Sequence, residues 1–241
     1  MNIVITMAGL GSRFKKAGFA QPKYMIEAHG KTLFEWSMSS LFGFNQGSTK
    51  YIFIVRTEDN ASEFIADKCK NFGLNEYKII EIDYLTDGQA ATAMIASKYW
   101  AAEEPLLIYN IDTFVEPNEM NSSQIKGDGF IPCFNVPGEH WSFVKLDETG
   151  KAIEVREKQK ISDNCTLGAY YFKSCKMYQD LYNEYYSKND NMEKGEKYVA
   201  PLYNLLIQKG GSVYISHVSP DKVYVLGTPE ELQTFKSKAI Y

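Results

Sequence analysis

Short apolar segments alternate with amphipathic ones along the first half of the chain. Runs of branched aliphatic and aromatic residues predict buried strands, and segments whose apolar residues recur every three to four positions predict helices. The predicted strands cover 2–7, 50–56, 78–83 and 105–111, and the predicted helices cover 31–43, 60–72 and 89–100. This alternation favours an α/β fold with a parallel sheet flanked by helices.

The pattern changes beyond about residue 127, where short strands follow one another before helices return. The predicted strands of this half cover 128–135, 141–146, 151–156, 166–172 and 212–218, and the predicted helices cover 174–187, about 198–209 and 229–238. We expect these strands to extend the sheet into a mixed, mostly parallel one. No internal repeat or low-complexity segment is visible, so residues 1–241 predict a single domain.

Composition and charge restrict the function more than they restrict the fold. With 44% hydrophobic residues among 241, the chain can bury a substantial core. A net charge of −4 offers no positive surface for nucleic acid, and no stretch has the length of a membrane span or the basic start of a signal peptide. Four scattered cysteines lack metal-binding spacing and predict reduced, structural thiols. We therefore expect a cytoplasmic protein that binds neither nucleic acid nor membranes.

A glycine-containing segment follows the first predicted strand. It reads Met7-Ala8-Gly9-Leu10-Gly11-Ser12-Arg13, and Pro22-Lys23 follows ten residues later. Glycines let a backbone approach a polyphosphate, amide and hydroxyl groups donate to its oxygens, and the arginine and lysine supply two cations. Phe14 replaces the third glycine of a dinucleotide fingerprint, and the Gly-Lys-Ser/Thr end of a Walker A loop is absent. The segment indicates a nucleotide site; the structural alternative is a tight turn at the two glycines.

A carboxylate stands at the end of the fourth predicted strand, in Leu106-Leu107-Ile108-Tyr109-Asn110-Ile111-Asp112. Ligands of open α/β sheets collect at the carboxyl ends of the parallel strands. Because Mg²⁺ prefers a few carboxylate oxygens together with phosphate and water, Asp112 is a candidate metal ligand. The alternative role for Asp112 is a helix cap.

Four segments resemble the sugar-phosphate nucleotidyltransferases, the pyrophosphorylases that activate sugar 1-phosphates. They are 7–36, 83–91, 142–172 and 223–232, and the first, with its glycine loop, Pro22-Lys23 and Gly30-Lys31, is the most specific. The resemblance implies a Rossmann-like, GT-A-type nucleotidyltransferase fold with a nucleotide-binding part at 1–126 and an acceptor-binding part at 127–241. It also implies two substrates, a nucleoside triphosphate and a phosphorylated small-molecule acceptor, and Mg²⁺ as cofactor. It allows a homo-oligomer but does not require one.

The resemblance also implies roles for individual residues. Arg13 and Lys23 would be catalytic, because Lys23 would contact the phosphates and support the attack. The nucleotide-binding residues would be Ala8, Gly9, Leu10, Gly11, Ser12, Asp83, Thr86, Gly88 and Gln89. Gly88 matches best, whereas Thr86 with Asp87 would equally cap the following helix.

The third segment supplies the implied acceptor-binding residues, Glu157, Lys158 and Gly168. Glu157 would hold sugar hydroxyls and Lys158 would meet the acceptor phosphate. Without the matching flank at 168–171, residues 156–158 would be an ordinary solvated charge cluster. Trp141 lies near this part and could stack on a ligand, although burial in the core is its structural alternative.

The chain departs from the family pattern at the implied metal site. Residues 110–112 read Asn-Ile-Asp, where the family usually has Gly-Asp and many GT-A glycosyltransferases have Asp-x-Asp. Gln159 replaces a proline, and Val225 replaces the aspartate that often supplies a second metal contact. Either Asp112 holds the ion with phosphates and water alone, or Asp221, four residues before Val225, reaches the site.

The function implied is transfer of a nucleoside monophosphate to a sugar 1-phosphate, with release of pyrophosphate, for cell-surface polysaccharide precursors such as those of a capsule. Three alternatives stay open. The acceptor could be a non-sugar phosphate such as phosphocholine, joined to a cytidylyl group. The chain could instead be a GT-A glycosyltransferase, although such an enzyme needs no triphosphate loop. Val225 also leaves room for a non-catalytic nucleotide-binding protein.

Overall fold

The computed structural model describes residues 1–45, 47–187 and 191–239. The strands within these ranges are β1 (Asn2–Thr6), β2 (Glu27–Ala28), β3 (Lys31–Thr32), β4 (Lys50–Arg56), β5 (Tyr77–Ile82), β6 (Leu106–Asn110), β7 (Thr113–Val115), β8 (Gly129–Phe134), β9 (Ser142–Leu146), β10 (Ala152–Glu157), β11 (Cys165–Thr166), β12 (Ala169–Phe172), β13 (Val213–His217) and β14 (Val223–Val225). The helices are α1 (Ser12–Lys16), α2 (Leu33–Ser39), α3 (Ser62–Asn71), α4 (Gln89–Met94), α5 (Cys175–Tyr185), α6 (Leu202–Gln208) and α7 (Pro229–Ser237).

Ten of these strands form one mixed sheet. Its order is β10-β9-β11-β8-β12-β6-β1-β4-β5, with β13 beside β8. The neighbours β5, β4, β1 and β6 run parallel, and β12 adds to β6 in the antiparallel direction. Two small sheets, β7 with β14 and β2 with β3, lie outside it. The prediction of an α/β fold around a mixed sheet with a parallel core is confirmed.

Strand order reverses at β1. The chain moves from β1 outward to β4 and β5, and it then returns to β6 on the other side of β1. Such a switch point leaves a crevice outside the carboxyl ends of the two central strands. Thr6, the last residue of β1, lies in register with Asn110, the last residue of β6. The loops that follow these two strands therefore lie side by side.

The parallel strands are buried on both faces of the sheet. Ile3 and Ile5 belong to one apolar cluster and Val4 to another, because successive side chains of a strand point to opposite faces. A third cluster includes Trp36, Phe114 and Phe235 and joins α2, β7 and α7. This third cluster docks α7 against the small β7–β14 sheet, next to the crevice.

Several element boundaries differ from the sequence prediction, each for a local reason. The helix predicted at 31–43 begins at Leu33, because the Thr32 hydroxyl accepts a hydrogen bond from the Glu35 amide and caps it. The strand predicted at 166–172 is two strands, β11 and β12, separated at Gly168, which has φ +76°. The helix predicted at 198–209 begins only at Leu202, after Pro201.

Several short elements were not predicted, among them α1, β7 and β14. Helix α1 follows the glycine loop directly, and strands β7 and β14 pair antiparallel with Thr113 opposite Val225. These elements contain only three to five residues, too few to show a helical or strand period. Long-range pairing is what makes β7 and β14 strands.

The cysteines agree with the composition-based expectation. All four cysteines are free and buried, and burial raises the pKa of the Cys69 and Cys175 thiols to about 12. Thiols held neutral in this way are unreactive, as expected of structural residues. In the described part of the chain, no helix combines the length and the apolar composition needed to cross a membrane.

Candidate active site

A large cavity opens at the carboxyl ends of β1 and β6. Its volume is about 790 Å³, and it is lined from the first half of the chain by the glycine loop, the 85–89 loop and residues 110–113. From the second half it is lined by residues around 140–142, 157, 166–170 and 195–198 and by the start of α7. The cavity lies at the strand switch point, where the fold alone places a ligand site.

The glycine loop contributes part of the wall that was predicted for it. Ala8, Gly9, Leu10 and Arg13 line the cavity. Gly11 has φ +60° and stands just before α1, facing a small adjoining pocket instead. Ser12 is the exposed first residue of α1 and does not line the cavity. The loop is thus shorter than expected, because helix α1 begins at Ser12.

Two charged residues predicted for the site, Lys23 and Asp112, contact each other in the cavity. Lys23 Nζ lies 2.6 Å from Asp112 Oδ2, and the two side chains are 22% and 28% exposed. Lys23 begins a short helical turn after Pro22, and Asp112 follows β6. The structure therefore brings a cation and a carboxylate, 89 residues apart in sequence, to the same wall.

The loop before α4 places Gly88 against the backbone of the 195–198 segment. Gly88 has φ +114°, and a Cβ there would lie 2.7 Å from the Lys197 carbonyl oxygen. The Ala90 amide donates to that same carbonyl at 2.9 Å. Thr86 also lines the cavity, and its hydroxyl lies 2.6 Å from that of Thr92. Only glycine fits at position 88 without moving the segment that carries part of the opposite wall.

The other nucleotide-binding candidates divide between the cavity and the surface. Gln89 lines the cavity and donates a hydrogen bond to the side-chain oxygen of Asn110 at the end of β6. Asp83 is exposed and does not line the cavity. Thr86 and Gln89 are therefore the side chains of this wall that are candidates to recognise the nucleobase.

Replacing Gly88 by valine is expected to weaken nucleotide binding and to destabilise the fold by roughly 1–3 kcal/mol, because the side chain collides with Lys197 at a strained φ. Calorimetry of nucleotide binding and thermal unfolding measure the two effects. Gly150→Val is the matched control, since Gly150 has φ +81° and open space around its Cβ position. It should lower stability without changing nucleotide affinity. Normal nucleotide affinity in a folded Gly88→Val variant would remove Gly88 from the site.

Glu157 is a buried carboxylate in the second-half wall. It is 9% exposed, and its Oε2 accepts a hydrogen bond from the Ser142 hydroxyl. Burial raises the pKa of the Glu157 carboxyl, and the Ser142 hydrogen bond offsets part of that rise. Buried carboxylates of this kind are suited to bind hydroxyl groups, because few competing waters reach them.

The neighbouring acceptor candidates take different positions. Lys158 does not line the cavity. Its Nζ lies 3.9 Å from a Glu157 carboxylate oxygen and donates a hydrogen bond to the Tyr198 hydroxyl. The same Nζ lies 4.4 Å from the centre of the Tyr198 ring, a cation–π contact. Gly168 lines the cavity, and a Cβ there would lie 2.5 Å from the side-chain nitrogen of Asn110. Trp141 lines the cavity and also packs against Phe134 of the core, so it combines the two alternatives.

The structure does not bring Asp221 to the cavity. Asp221 precedes β14, is exposed, and accepts a hydrogen bond from the Ser219 hydroxyl. Val225, at the other end of β14, lines the cavity instead. Asp221 lies in the short helical turn Pro220–Lys222 and does not line the cavity, so it does not replace the missing aspartate. Among the residues the structure describes, no group of three or more His, Cys, Asp or Glu could hold a metal ion.

Sequence reasoning missed several lining residues. The most notable is Glu231, whose Oε2 is buried and has no hydrogen-bond partner in the described part of the chain. Asn110, Tyr198 and Glu196 were missed as well, because neither spacing nor the family resemblance singles them out. A Thr-x-x-Glu pattern at 228–231 was visible, but it is also the ordinary start of a helix.

The fold and this cavity define an α/β enzyme of the nucleotidyltransferase class. No family model and no curated protein matches the chain. Among solved structures, the nucleoside-diphosphate-sugar pyrophosphorylase from Vibrio cholerae RC9 is 37% identical, with 98% of this chain and 100% of that chain covered and a TM-score of 0.89. The chain belongs to the sugar-phosphate nucleotidyltransferases, the family of the nucleotide-sugar pyrophosphorylases.

Two more distant structures share the fold. The inositol-1-phosphate CTP transferase from T. maritima is 14% identical, with 100% of this chain and 98% of that chain covered and a TM-score of 0.75. A protein assigned as a glucose-1-phosphate thymidylyltransferase from Bacillus anthracis, in complex with a sucrose, is 14% identical, with 100% and 97% covered and a TM-score of 0.79. These likenesses extend over the whole chain, so the second half belongs to the same fold as the first.

Proposed function

We propose that this enzyme joins a nucleoside monophosphate from a nucleoside triphosphate to a sugar 1-phosphate and releases pyrophosphate. The observation that carries the proposal is the Lys23–Asp112 ion pair, at 2.6 Å, beside the glycine loop. Such a pair provides both a cation for the triphosphate and a carboxylate for a metal at one position. The 37% identical pyrophosphorylase supports the same reaction class. The nucleoside diphosphate sugar formed would serve cell-surface polysaccharide synthesis in the cytoplasm.

The chemistry requires alignment and charge neutralisation more than it requires a base. A phosphate oxygen of the acceptor attacks the α-phosphorus in line, a new P–O bond forms, and the bond to the β-phosphate bridging oxygen breaks. Pyrophosphate leaves with the electron pair of that bond. An acceptor phosphate is already ionised near neutral pH, so the residues have only to orient it and to stabilise charge. Arg13 and Lys23 line the cavity and are the cations that we assign to this task.

The residues present fit a magnesium ion. Asp112 ends at the cavity, and the buried Oε2 of Glu231 on the same side has no partner among the described residues. We propose that Asp112 holds Mg²⁺ together with phosphate oxygens and water, the ligands this ion prefers. When bound, the ion supplies charge neutralisation for the triphosphate and the leaving pyrophosphate.

The second-half wall supports an acceptor that carries hydroxyl groups. Glu157 and Ser142 form a buried polar pair, and Trp141 and Tyr198 add aromatic faces that sugar rings pack against. The same aromatic faces, together with Glu196, would also suit a quaternary ammonium group. Phosphocholine is therefore the second candidate acceptor, with a cytidylyl group as its partner.

A substrate panel tests the proposed function. Each of the four common ribonucleoside triphosphates and dTTP is incubated with Mg²⁺ and hexose 1-phosphates or phosphocholine, and pyrophosphate is measured. Pyrophosphate that appears only when a sugar 1-phosphate is present supports the proposal. Release that depends on phosphocholine selects the second candidate. If none of the pairs gives pyrophosphate release that depends on the acceptor, nucleotidyl transfer to these acceptors is contradicted.

Replacing Glu157 by glutamine is expected to raise the KM for the acceptor by about 10-fold, since a hydrogen bond from a hydroxyl to a charged group is worth roughly 1.5–3 kcal/mol. Nucleotide binding, measured by calorimetry without acceptor, should stay nearly unchanged. Ser123→Ala, at an exposed hydroxyl outside the cavity, serves as the control. Loss of triphosphate binding in the Glu157→Gln variant would instead assign this carboxylate to the nucleotide side.

The same substitution has a distinct effect on stability. Burial raises the pKa of Glu157 in the folded state, so its contribution favours folding below the unfolded carboxyl pKa of about 4.3 and is lost as pH rises through the folded value. The Glu157→Gln variant should therefore be at least as stable as the wild type at pH 7–8, with a smaller difference near pH 4. Thermal unfolding across this pH range measures it. The assigned pKa direction would be contradicted if the stability of the variant relative to the wild type were lower at pH 8 than at pH 4.

A further inference from the structure

We propose that Glu231 is the second carboxylate of the divalent-cation site, in the role that Val225 cannot fill. The inference rests on the proposed nucleotidyl transfer for the task of the ion, but it depends on the geometry around Asp112 for its location. Glu231 lies in the first turn of α7, six residues beyond Val225.

The start of α7 has the sequence of a capping box but not its second hydrogen bond. At α2, the Thr32 hydroxyl accepts from the Glu35 amide, and the Glu35 carboxylate accepts in return from the Thr32 amide at 2.8 Å. At α7, the Thr228 hydroxyl accepts from the Glu231 amide at 3.2 Å, but the return bond from the Thr228 amide is not formed. The Glu231 carboxylate is therefore not held by the cap that its sequence position offers.

That carboxylate is instead directed to the same place as Asp112. A Cβ built on Gly227 would lie 3.3 Å from Asp112 Oδ2 and 3.5 Å from Glu231 Oε2, so the two oxygens flank one glycine. The Leu226 amide donates to the Asp112 carbonyl at 2.8 Å, which ties the chain before α7 to the end of β6. The β14–β7 pairing thus carries Glu231 to the metal side of the cavity.

Charge balance indicates what belongs between the two carboxylates. Lys23 is already paired with Asp112, whereas the buried Oε2 of Glu231 has no donor among the described residues. A buried carboxylate oxygen without a donor is costly, and a like charge nearby raises that cost. A divalent cation compensates both carboxylates at once, and oxygen ligands are those that Mg²⁺ and Mn²⁺ prefer.

Manganese binding to the purified protein tests this inference without any turnover. Mn²⁺ is titrated in the absence of nucleotide, and free Mn²⁺ is followed by electron paramagnetic resonance. We expect saturable binding, and we expect Glu231→Gln to weaken it by about 10-fold or more. Replacing residues that only support metal ligands already costs about 10-fold or more in metal affinity, and a direct ligand should cost at least as much. Glu230→Gln, the exposed neighbour in the same turn of the helix, is the matched control and should bind as the wild type does.

Thermal unfolding tests whether Glu231 has a purely structural role instead. Without metal, Glu231→Gln should unfold at the same temperature as the wild type or higher, because it removes an uncompensated charge. It should also lose most of the rise in unfolding temperature that Mn²⁺ gives to the wild type. A variant that is less stable without metal and equally stabilised by Mn²⁺ would overturn the inference.

The outcomes separate this inference from the proposed function. Unchanged Mn²⁺ affinity in Glu231→Gln, or no Mn²⁺ binding by the wild type, overturns the role of Glu231 even if pyrophosphate is released. Conversely, Mn²⁺ binding that depends on Glu231 in a protein that releases no pyrophosphate supports the cation site and contradicts the proposed reaction.

Discussion

Replacement of Lys23 by alanine is expected to lower kcat by about 100-fold or more while the protein still folds. Removing one preorganised charged or polar group from a transfer site typically costs 10²–10³ in rate, because no mobile water replaces its interaction with the developing charge. Lys23 is partly solvated, and surface-accessible ion pairs add little to stability, so unfolding should change only slightly.

Steady-state kinetics of pyrophosphate release, with circular dichroism as a check of folding, measure this effect. Lys16→Ala is the matched control, because Lys16 is an exposed lysine on the adjacent α1 and does not line the cavity. Its kinetics should equal those of the wild type. Wild-type turnover in a folded Lys23→Ala variant would be incompatible with a catalytic role for this lysine.

Replacement of Asp112 by asparagine is expected to reduce activity by a similar factor and to raise the Mg²⁺ concentration needed for the remainder. Asparagine keeps the shape of the side chain but removes the negative charge that holds the cation and pairs with Lys23. In the wild type, a chelator should abolish pyrophosphate release and added Mg²⁺ should restore it.

Magnesium titrations of activity provide the measurement, and Asp221→Asn provides the control. Asp221 is an exposed aspartate outside the cavity, so its variant should keep the wild-type magnesium requirement. A changed requirement in Asp221→Asn would restore that residue as a metal ligand. Full activity of the wild type in the presence of a chelator would contradict a metal at Asp112.

Lys23 and Asp112 should also act as one unit. Because the two side chains contact each other directly, the double variant should lose less than the product of the two single losses. A coupling of this kind is expected only if the ion pair observed here persists in the working enzyme. Fully multiplicative effects would indicate that the two residues act independently on the substrates.

The amino-acid sequence by itself predicted most of the fold and much of this site. Strands such as Asn2–Thr6 and Leu106–Asn110 contain continuous apolar runs, which is typical of strands buried on both faces of a parallel sheet. Their alternation with helices predicts a parallel sheet, and a parallel sheet gathers its following loops at one edge. The glycine loop and Asp112 could therefore be assigned to one edge of the sheet, and the family resemblance added Lys23 and Gly88 to the same site.

Only the tertiary structure decided which other side chains reach that cavity. Asp221 and Glu231 are both acidic and lie near Val225 in sequence, yet only Glu231 lines the cavity. The difference arises from the register of β14 on β7 and from the packing of α7 in its apolar cluster, which join residues more than 100 positions apart. A local pattern such as Thr-x-x-Glu is the same at α2 and α7, so it cannot specify whether the glutamate closes a cap or faces a ligand. Long-range packing makes that choice, because it determines which partner each carboxylate meets.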